Sequence, residues 1–176
     1  VNPRDFYRHC PRCGAAQPAT PAGNVFTCAA CGFRLFFNPA VAIAVFIRRD
    51  DGRALFIHRA KDPGKGRLAP PGGFIDLGER AEEAACREIR EEVGLELADV
   101  TFLCSQPNTY HYAEVTYPVL DCFFTARALN AESAAALDDV AKFEWLDPLA
   151  VAPEQMAFPS MQTALGLWQE QLRWIP

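Results

Sequence analysis

Apolar residues run almost unbroken through positions 41–47 (Val-Ala-Ile-Ala-Val-Phe-Ile), the pattern of a buried strand. Asp50-Asp51-Gly52 then supplies a hairpin turn signal, and positions 54–59 return as a second strand. Pro63, Gly64, Gly66, Pro70, Pro71, Gly72 and Gly73 punctuate the next stretch too densely for a regular element. That stretch is predicted as loop, with a short strand beginning over 72–75. Helical periodicity holds over 80–93 and is closed by Gly94, the residue type that takes the left-handed conformation most cheaply. Positions 100–105, 119–125 and 143–146 are rich in strand formers. A last helix is predicted behind a Ser160 cap, with Met161, Ala164, Leu165, Trp168 and Leu172 at helical spacing. Strand hairpins mixed with two helices predict an α+β or α/β sandwich. There is no internal repeat and no low-complexity tract.

The pattern changes near Asn38-Pro39. The 37 residues before it cannot bury much of their own surface, and a segment below roughly 40 residues needs a disulfide, a metal or a partner to fold. Cysteine spacing says which. The chain has seven cysteines, an odd number, and four of them form the C-x-x-C pairs Cys10/Cys13 and Cys28/Cys31, each followed by glycine. Two such turns joined by a short hairpin can surround one tetrahedral Zn²⁺ with four thiolates. Positions 8–35 resemble a zinc ribbon, in which the metal staples the fold, and the expected division is a ribbon over 1–37 followed by a second domain over 38–176. His9 is not needed as a ligand once four sulfurs complete the shell. Cys86, Cys104 and Cys122 read as small apolar residues.

Charge is divided at the same place. Residues 1–37 hold Arg4, Arg8, Arg12 and Arg34 against Asp5 alone, a net of +3 in a chain whose total is -5, which leaves -8 for the remainder. The basic head, with Phe26, Phe33 and Phe36 close by, leaves open a contact with nucleic acid or with a partner copy in a homodimer. No stretch approaches the roughly 18 apolar residues of a membrane span, and positions 1–10 carry Arg, Asp and His where a secretory leader would be apolar. The expected setting is cytoplasmic, with no membrane partner.

On the 80–93 helix, Glu88, Glu91 and Glu92 fall within an arc of about 100°, beside an apolar arc of Ala85, Ile89 and Val93. Glu88 and Glu92 repel at i,i+4 unless something compensates them, and hard divalent cations are held by such carboxylates. The spacing from Gly73 through Glu79, Arg87-Glu88-Ile89, Glu91-Glu92 and Gly94-Leu95 fills every fixed position of the Nudix box. The chain therefore resembles the Nudix hydrolases. That resemblance implies an α+β fold, an α/β/α sandwich with a mixed sheet behind a small zinc ribbon. It also implies metal-dependent hydrolysis of a nucleoside diphosphate linked to another group. Carried over by position, it assigns Glu88, Glu91 and Glu92 to Mg²⁺ (or Mn²⁺), together with the Gly73 carbonyl, and pairs Glu79 with Arg87. Either Glu91 or Glu92 is the general base. Arg80 stands where the family often has a capping Ser or Thr, and Asp76 with Glu79 offers a D-x-x-E capping box in its place.

A ribbon followed by a Nudix domain also resembles the NADH pyrophosphatase group, whose Ser-Gln-Pro-Trp-Pro-Phe-Pro-x-Ser motif begins here as Ser105-Gln106-Pro107 and then departs into Asn108-Thr109-Tyr110-His111-Tyr112. Tyr110 and Tyr112, with Phe74, are the aromatic candidates for stacking on a base or nicotinamide ring. Asp139 occupies the place of a further metal-binding Glu, with Asp138 or Glu144 as substitutes. Arg48, Arg49, Arg59, Lys65 and Arg67 are cations available to substrate phosphates. The leading expectation is a pyrophosphohydrolase acting on ADP-ribose, an NAD(H)-like dinucleotide or a nucleotide sugar. The alternative is a nucleotide-sensing or nucleic-acid-binding regulator that does not hydrolyse.

Overall fold

The computed structural model describes residues 2–16, 23–138 and 140–174. The chain forms two compact units, Val1–Ala40 with Thr109–Val119, and Val41–Asn108 with Leu120–Pro176.

In the first unit, β1 (Val25–Thr27) and β2 (Arg34–Phe36) pair antiparallel. Two turns share one design, one before the hairpin and one joining its strands: Gly14 N–H donates to Cys10 O and Gly32 N–H to Cys28 O, both at 2.9 Å. Each glycine has φ near +70° (Gly14 74°, Gly32 70°), a conformation that a Cβ would penalise. Cys10, Phe26 and Cys28 form a buried cluster in this unit, a small core built around sulfur.

The remaining elements are β3 (Ala40–Arg48), β4 (Ala54–Arg59), β5 (Leu68–Ala69), α1 (Ala81–Val93), β6 (Leu97–Tyr112), β7 (Val115–Ala128), β8 (Val140–Leu146) and α2 (Pro159–Arg173), and they belong to the second unit except for Ala40 and residues 109–119. Its six-stranded sheet runs β5-β4-β3-β7-β6, with β8 paired to β4. Residues 43–47 of β3 are all buried, so both faces of the sheet are covered there. α2 covers one of them, stacking Trp168 on Phe46 at 4.7 Å between ring centroids. The buried stripe of α1 is Ala84, Ala85, Ile89 and Val93. This is the α+β architecture expected from the sequence.

Four details differ from the sequence reading. β6 and β7 are long arms of one hairpin rather than short strands; polar alternation and Pro107 conceal their length. The stretch expected to be loop contains the two-residue strand β5. α1 is capped by Arg80, whose N–H donates to Glu83 Oε2 at 3.1 Å, so Glu83 supplies the carboxylate instead of the Asp76/Glu79 pair. α2 begins at Pro159 with Phe158 as N-cap, and Ser160 lies inside the first turn, donating to Asp121 Oδ2 at 2.6 Å. A proline at the first helical position has its φ fixed near the helical value and no N–H to satisfy, so it starts the helix without a serine cap bonded to it. Among the described residues, no helix is long and apolar enough to cross a membrane.

Candidate active site

The loop before α1 lies along β3. Val45 N–H donates to Pro71 O at 2.9 Å, Ile43 N–H to Gly73 O at 2.8 Å, and Ile75 N–H to Val41 O at 3.0 Å. Gly72 permits the approach: its φ is 149°, and a Cβ there would sit 2.7 Å from the Ala44 Cα. α1 reaches the same loop from the other side. Gly72 N–H donates to Glu92 Oε2 at 2.9 Å, and a Cβ on Gly73 would lie 2.6 Å from the Glu88 carboxylate. Glycines at 72 and 73 thus let a backbone segment fit between a strand and a row of acids.

Arg87 joins the parts. Its Nε and Nη2 donate to the two oxygens of Glu79, both at 2.9 Å, a bidentate pair. Nη1 donates to Glu88 Oε1 at 2.8 Å and Glu91 Oε2 at 3.2 Å, and Nη2 also reaches Phe74 O at 3.1 Å. One guanidinium therefore ties loop, helix and three carboxylates together. The bonds from Arg87, reinforced by the Asp76 N–H, hold the Glu79 carboxyl down at about 2. Glu88 moves the other way: burial raises it, more than Arg87 lowers it, and the charges of Glu91 and Glu79 add to the rise. A half-buried carboxylate with acidic neighbours and one shared arginine is short of positive charge.

That shortage, and the donor types, fit a hard divalent cation. Glu88, Glu91 and Glu92 offer carboxylate oxygens, and the Gly73 carbonyl keeps a second lone pair beyond the one engaged by Ile43 N–H. Among the described residues, the three acids are turned to Arg87 and Gly72 N–H, and the four cysteines are the donor set that closes on a point. Phe74 is 47% exposed beside this loop. Tyr110 and Tyr112 fall in the other unit, near the tip of the β6–β7 hairpin, with Tyr112 exposed. Asp139 lies outside the described residues. Asp138 is exposed in a turn, and Glu144 is already engaged by His58 Nε2 and Lys142 Nζ, both at 2.7 Å, which lowers its carboxyl.

In the first unit, the donor atoms of Cys10, Cys13, Cys28 and Cys31 all lie within 4.8 Å of one another. The Sγ–Sγ separations Cys10–Cys31 and Cys13–Cys28 are 3.8 and 3.7 Å. A tetrahedron with Zn–S bonds of about 2.3 Å has edges of about 3.8 Å, so the cluster has the dimensions of a zinc site. Burial opposes ionisation of Cys10, but N–H groups of Cys13 and Arg12 and the adjacent thiols outweigh it and bring the thiol to about 7. Cys13 is held at about 12: an N–H from Ala15 favours its thiolate, but the three neighbouring sulfurs and burial prevail. Four thiols this close cannot all ionise without a cation. His9 is exposed and stands outside the cluster, while Cys86, Cys104 and Cys122 are half-buried free thiols.

Of the basic residues proposed for phosphates, Arg49 is paired with Asp51, Arg59 donates to Pro63 O while lying over the Phe158 ring, and Arg67 donates to Glu154 O. No local pattern marks the buried carboxyl on β7. Asp121, 7% exposed, accepts from Ser160 Oγ at 2.6 Å and Asn108 Nδ2 at 2.8 Å, and burial raises its carboxyl. Its partners are 13 and 39 positions away, too far for any local pattern to show.

The NUDIX domain family matches residues 38–164, well over half of the chain. The chain belongs to the Nudix family. Within the Nudix family it is 49% identical over 63 residues to an ADP-ribose pyrophosphatase of Methanocaldococcus jannaschii, a match covering 36% of this chain and 37% of that protein. It is 27% identical over 150 residues to the NAD-capped RNA hydrolase NudC of Pseudomonas aeruginosa, covering 84% of this chain and 51% of the relative. The chain thus spans about half or less of these relatives' length. A solved Nudix hydrolase from Nitrosomonas europaea superposes with a TM-score of 0.70 at 19% identity, covering 94% of this chain and 92% of the other, which shows the fold.

Proposed function

We propose that this Nudix protein is a divalent-cation-dependent pyrophosphohydrolase that cleaves a nucleoside diphosphate linked to a second group, ADP-ribose or an NAD(H)-like dinucleotide, and releases a nucleoside monophosphate. One observation carries the reading: Glu88 and Glu92 of α1 meet the Gly72–Gly73 backbone, and Arg87, held by Glu79, links Glu88 to Glu91 on the same helix. A row of acids that repel one another has little use in a module that only binds a nucleotide, and two relatives that act on ADP-ribose and on an NAD cap support the substrate class.

When bound at Glu88, Glu91, Glu92 and the Gly73 carbonyl, Mg²⁺ or Mn²⁺ supplies neutralisation of the diphosphate and activation of water. The chain's own residues do the rest. Arg87 holds Glu88 and Glu91 in place, and Glu79 holds Arg87. Water oxygen bonds to phosphorus, the bridging P–O bond breaks, and the water proton passes to Glu91 or Glu92. Phe74 offers an exposed ring to stack on a base, and Tyr110 and Tyr112 are further aromatic candidates for contact with substrate. Residues 1–37 act as a zinc ribbon, with Zn²⁺ on Cys10, Cys13, Cys28 and Cys31, and residues 38–176 as the catalytic domain.

The test is a panel of ADP-ribose, NADH, NAD, nucleotide sugars, an NAD-capped RNA and nucleoside triphosphates, incubated with Mg²⁺ and followed for monophosphate release. ADP-ribose or a dinucleotide should turn over fastest. A panel on which nothing turns over would favour the sensing module.

A further inference from the structure

A second site lies at the other end of β3. Ala42 bridges to Phe74 in the box loop, whereas Arg48 is six residues further along the strand, about 20 Å away at roughly 3.3 Å per residue. There a cleft of about 440 Å³ opens between the ends of β3 and β7 and the C-terminal half of α2. Three guanidiniums line it, from Arg48, Arg49 and Arg127, against Asp50 and Asp99. This is a locally positive rim on a segment whose net charge is -8.

The arginines are incompletely used. Arg49 is held by Asp51 at 2.6 Å, and Arg127 makes a long contact of 3.4 Å with Asp99. Arg48 Nε is buried and hydrogen-bonded to nothing among the described residues. A buried donor without an acceptor is destabilising unless an outside group relieves it. Asp99 is also held at φ 57°, an uncommon conformation for a residue with a side chain, and such departures cluster at ligand sites. On the α2 side Leu172 offers partly exposed apolar surface, while Trp168 behind it is 2% exposed and stacked on Phe46. The volume lies in the range of small-molecule sites, roughly 300–1,000 Å³, and far exceeds one phosphate.

We infer that this cleft binds a nucleoside monophosphate, with the phosphate on Arg48 and Arg127, the base against Leu172, and Asp99 accepting from ribose hydroxyls. Guanidinium forks match phosphate oxygens in bidentate fashion, and the aspartates disfavour a polyanion that would place more charge beside them. The inference goes beyond the hydrolase reading and does not rest on it, because no residue of the cleft belongs to the box.

The experiment is an NMR titration of the full, zinc-loaded chain without Mg²⁺, using AMP, adenosine and inorganic phosphate as separate probes. Amide shifts of residues 125–127 and 171–172 report the cleft, and those of residues 72–92 report the box. AMP should move the cleft amides and bind at least about tenfold more tightly than phosphate or adenosine. Arg48→Gln and Arg127→Glu should each weaken AMP at the cleft about tenfold, and Arg127→Glu should do so while leaving the box shifts and the hydrolysis rate unchanged. Arg127 is half exposed, so its charge reversal tests the site even if Arg48→Gln fails to fold. Shifts confined to residues 72–92, phosphate binding as tightly as AMP, or wild-type affinity in a folded Arg127→Glu variant would each overturn the inference.

Discussion

An alanine at position 73 would place its Cβ 2.6 Å from the Cδ and both oxygens of Glu88. Ordinary contact begins near 3.4 Å, so the carboxylate must retreat by about 0.8 Å or more. Retreat is possible because the obstruction is the end of a flexible side chain, and the backbone at 73 is not in the left-handed region. Stability should therefore stay within about 1 kcal/mol of wild type, a Tm change of less than about 4 °C. Activity should not survive so well: displacing a metal-binding group by about 1 Å costs roughly 10²-fold. Gly72→Ala provides the contrast, because its Cβ would meet backbone, with the Ala44 Cα at 2.7 Å, and β3 cannot swing away. That variant should lose stability first, by several kcal/mol. Thermal melts paired with monophosphate release from ADP-ribose separate the two. A folded Gly73→Ala variant that keeps activity within threefold of wild type would show that Glu88 is not part of the reacting site.

Three further outcomes follow from the charges and sulfurs. Glu79 is held at about 2 by Arg87, against an ordinary 4.5, so the pair contributes stability that is present above pH 4.5 and is lost as pH falls towards 2; Arg87→Gln should remove that acid limb in urea unfolding and lower kcat. Asp121 has the opposite sign: burial raises its carboxyl above 3.8, so the folded state keeps a proton the unfolded chain has released, and stability falls as pH rises through that window. Asp121→Asn should flatten this slope, and an unchanged slope would mean that Asp121 does not titrate as described. Metal analysis should find one zinc per chain, absent from a Cys10→Ser, Cys28→Ser double variant, and zinc-free protein with the native spectrum would refute the staple.

The elements that carry the candidate site were legible because their signals are local. The apolar run of β3, the glycine-dense loop and the acid arc of α1 each lie within a short window, and the helix end was marked by Gly94, which adopts φ 69° and ψ 19°. What the sequence concealed is set by distant partners. β6 runs for 16 residues through Pro107 and alternating polar positions, stabilised by pairing with β7 rather than by its own propensity. Serine before a periodic run is commonly a cap, but the Ser160 hydroxyl is held by Asp121, 39 residues away. The pairing of Glu144 with His58, 86 positions away on β4, is likewise invisible in the sequence. The unsatisfied Arg48 Nε leaves no trace in the sequence, because it depends on everything packed around it.

The most direct measurement is Mg²⁺-dependent turnover of ADP-ribose and NADH followed by ³¹P NMR, for wild type beside Glu92→Gln. Glu92→Gln keeps the acceptor for Gly72 N–H and removes only the charge, so the fold should stand while the rate drops by at least about 10²-fold. Loss of the diphosphate signals with growth of a nucleoside monophosphate signal, in wild type only, is the expected result. Equal turnover by both proteins, or none by the folded wild type with any divalent cation, would contradict a hydrolase built on these glutamates.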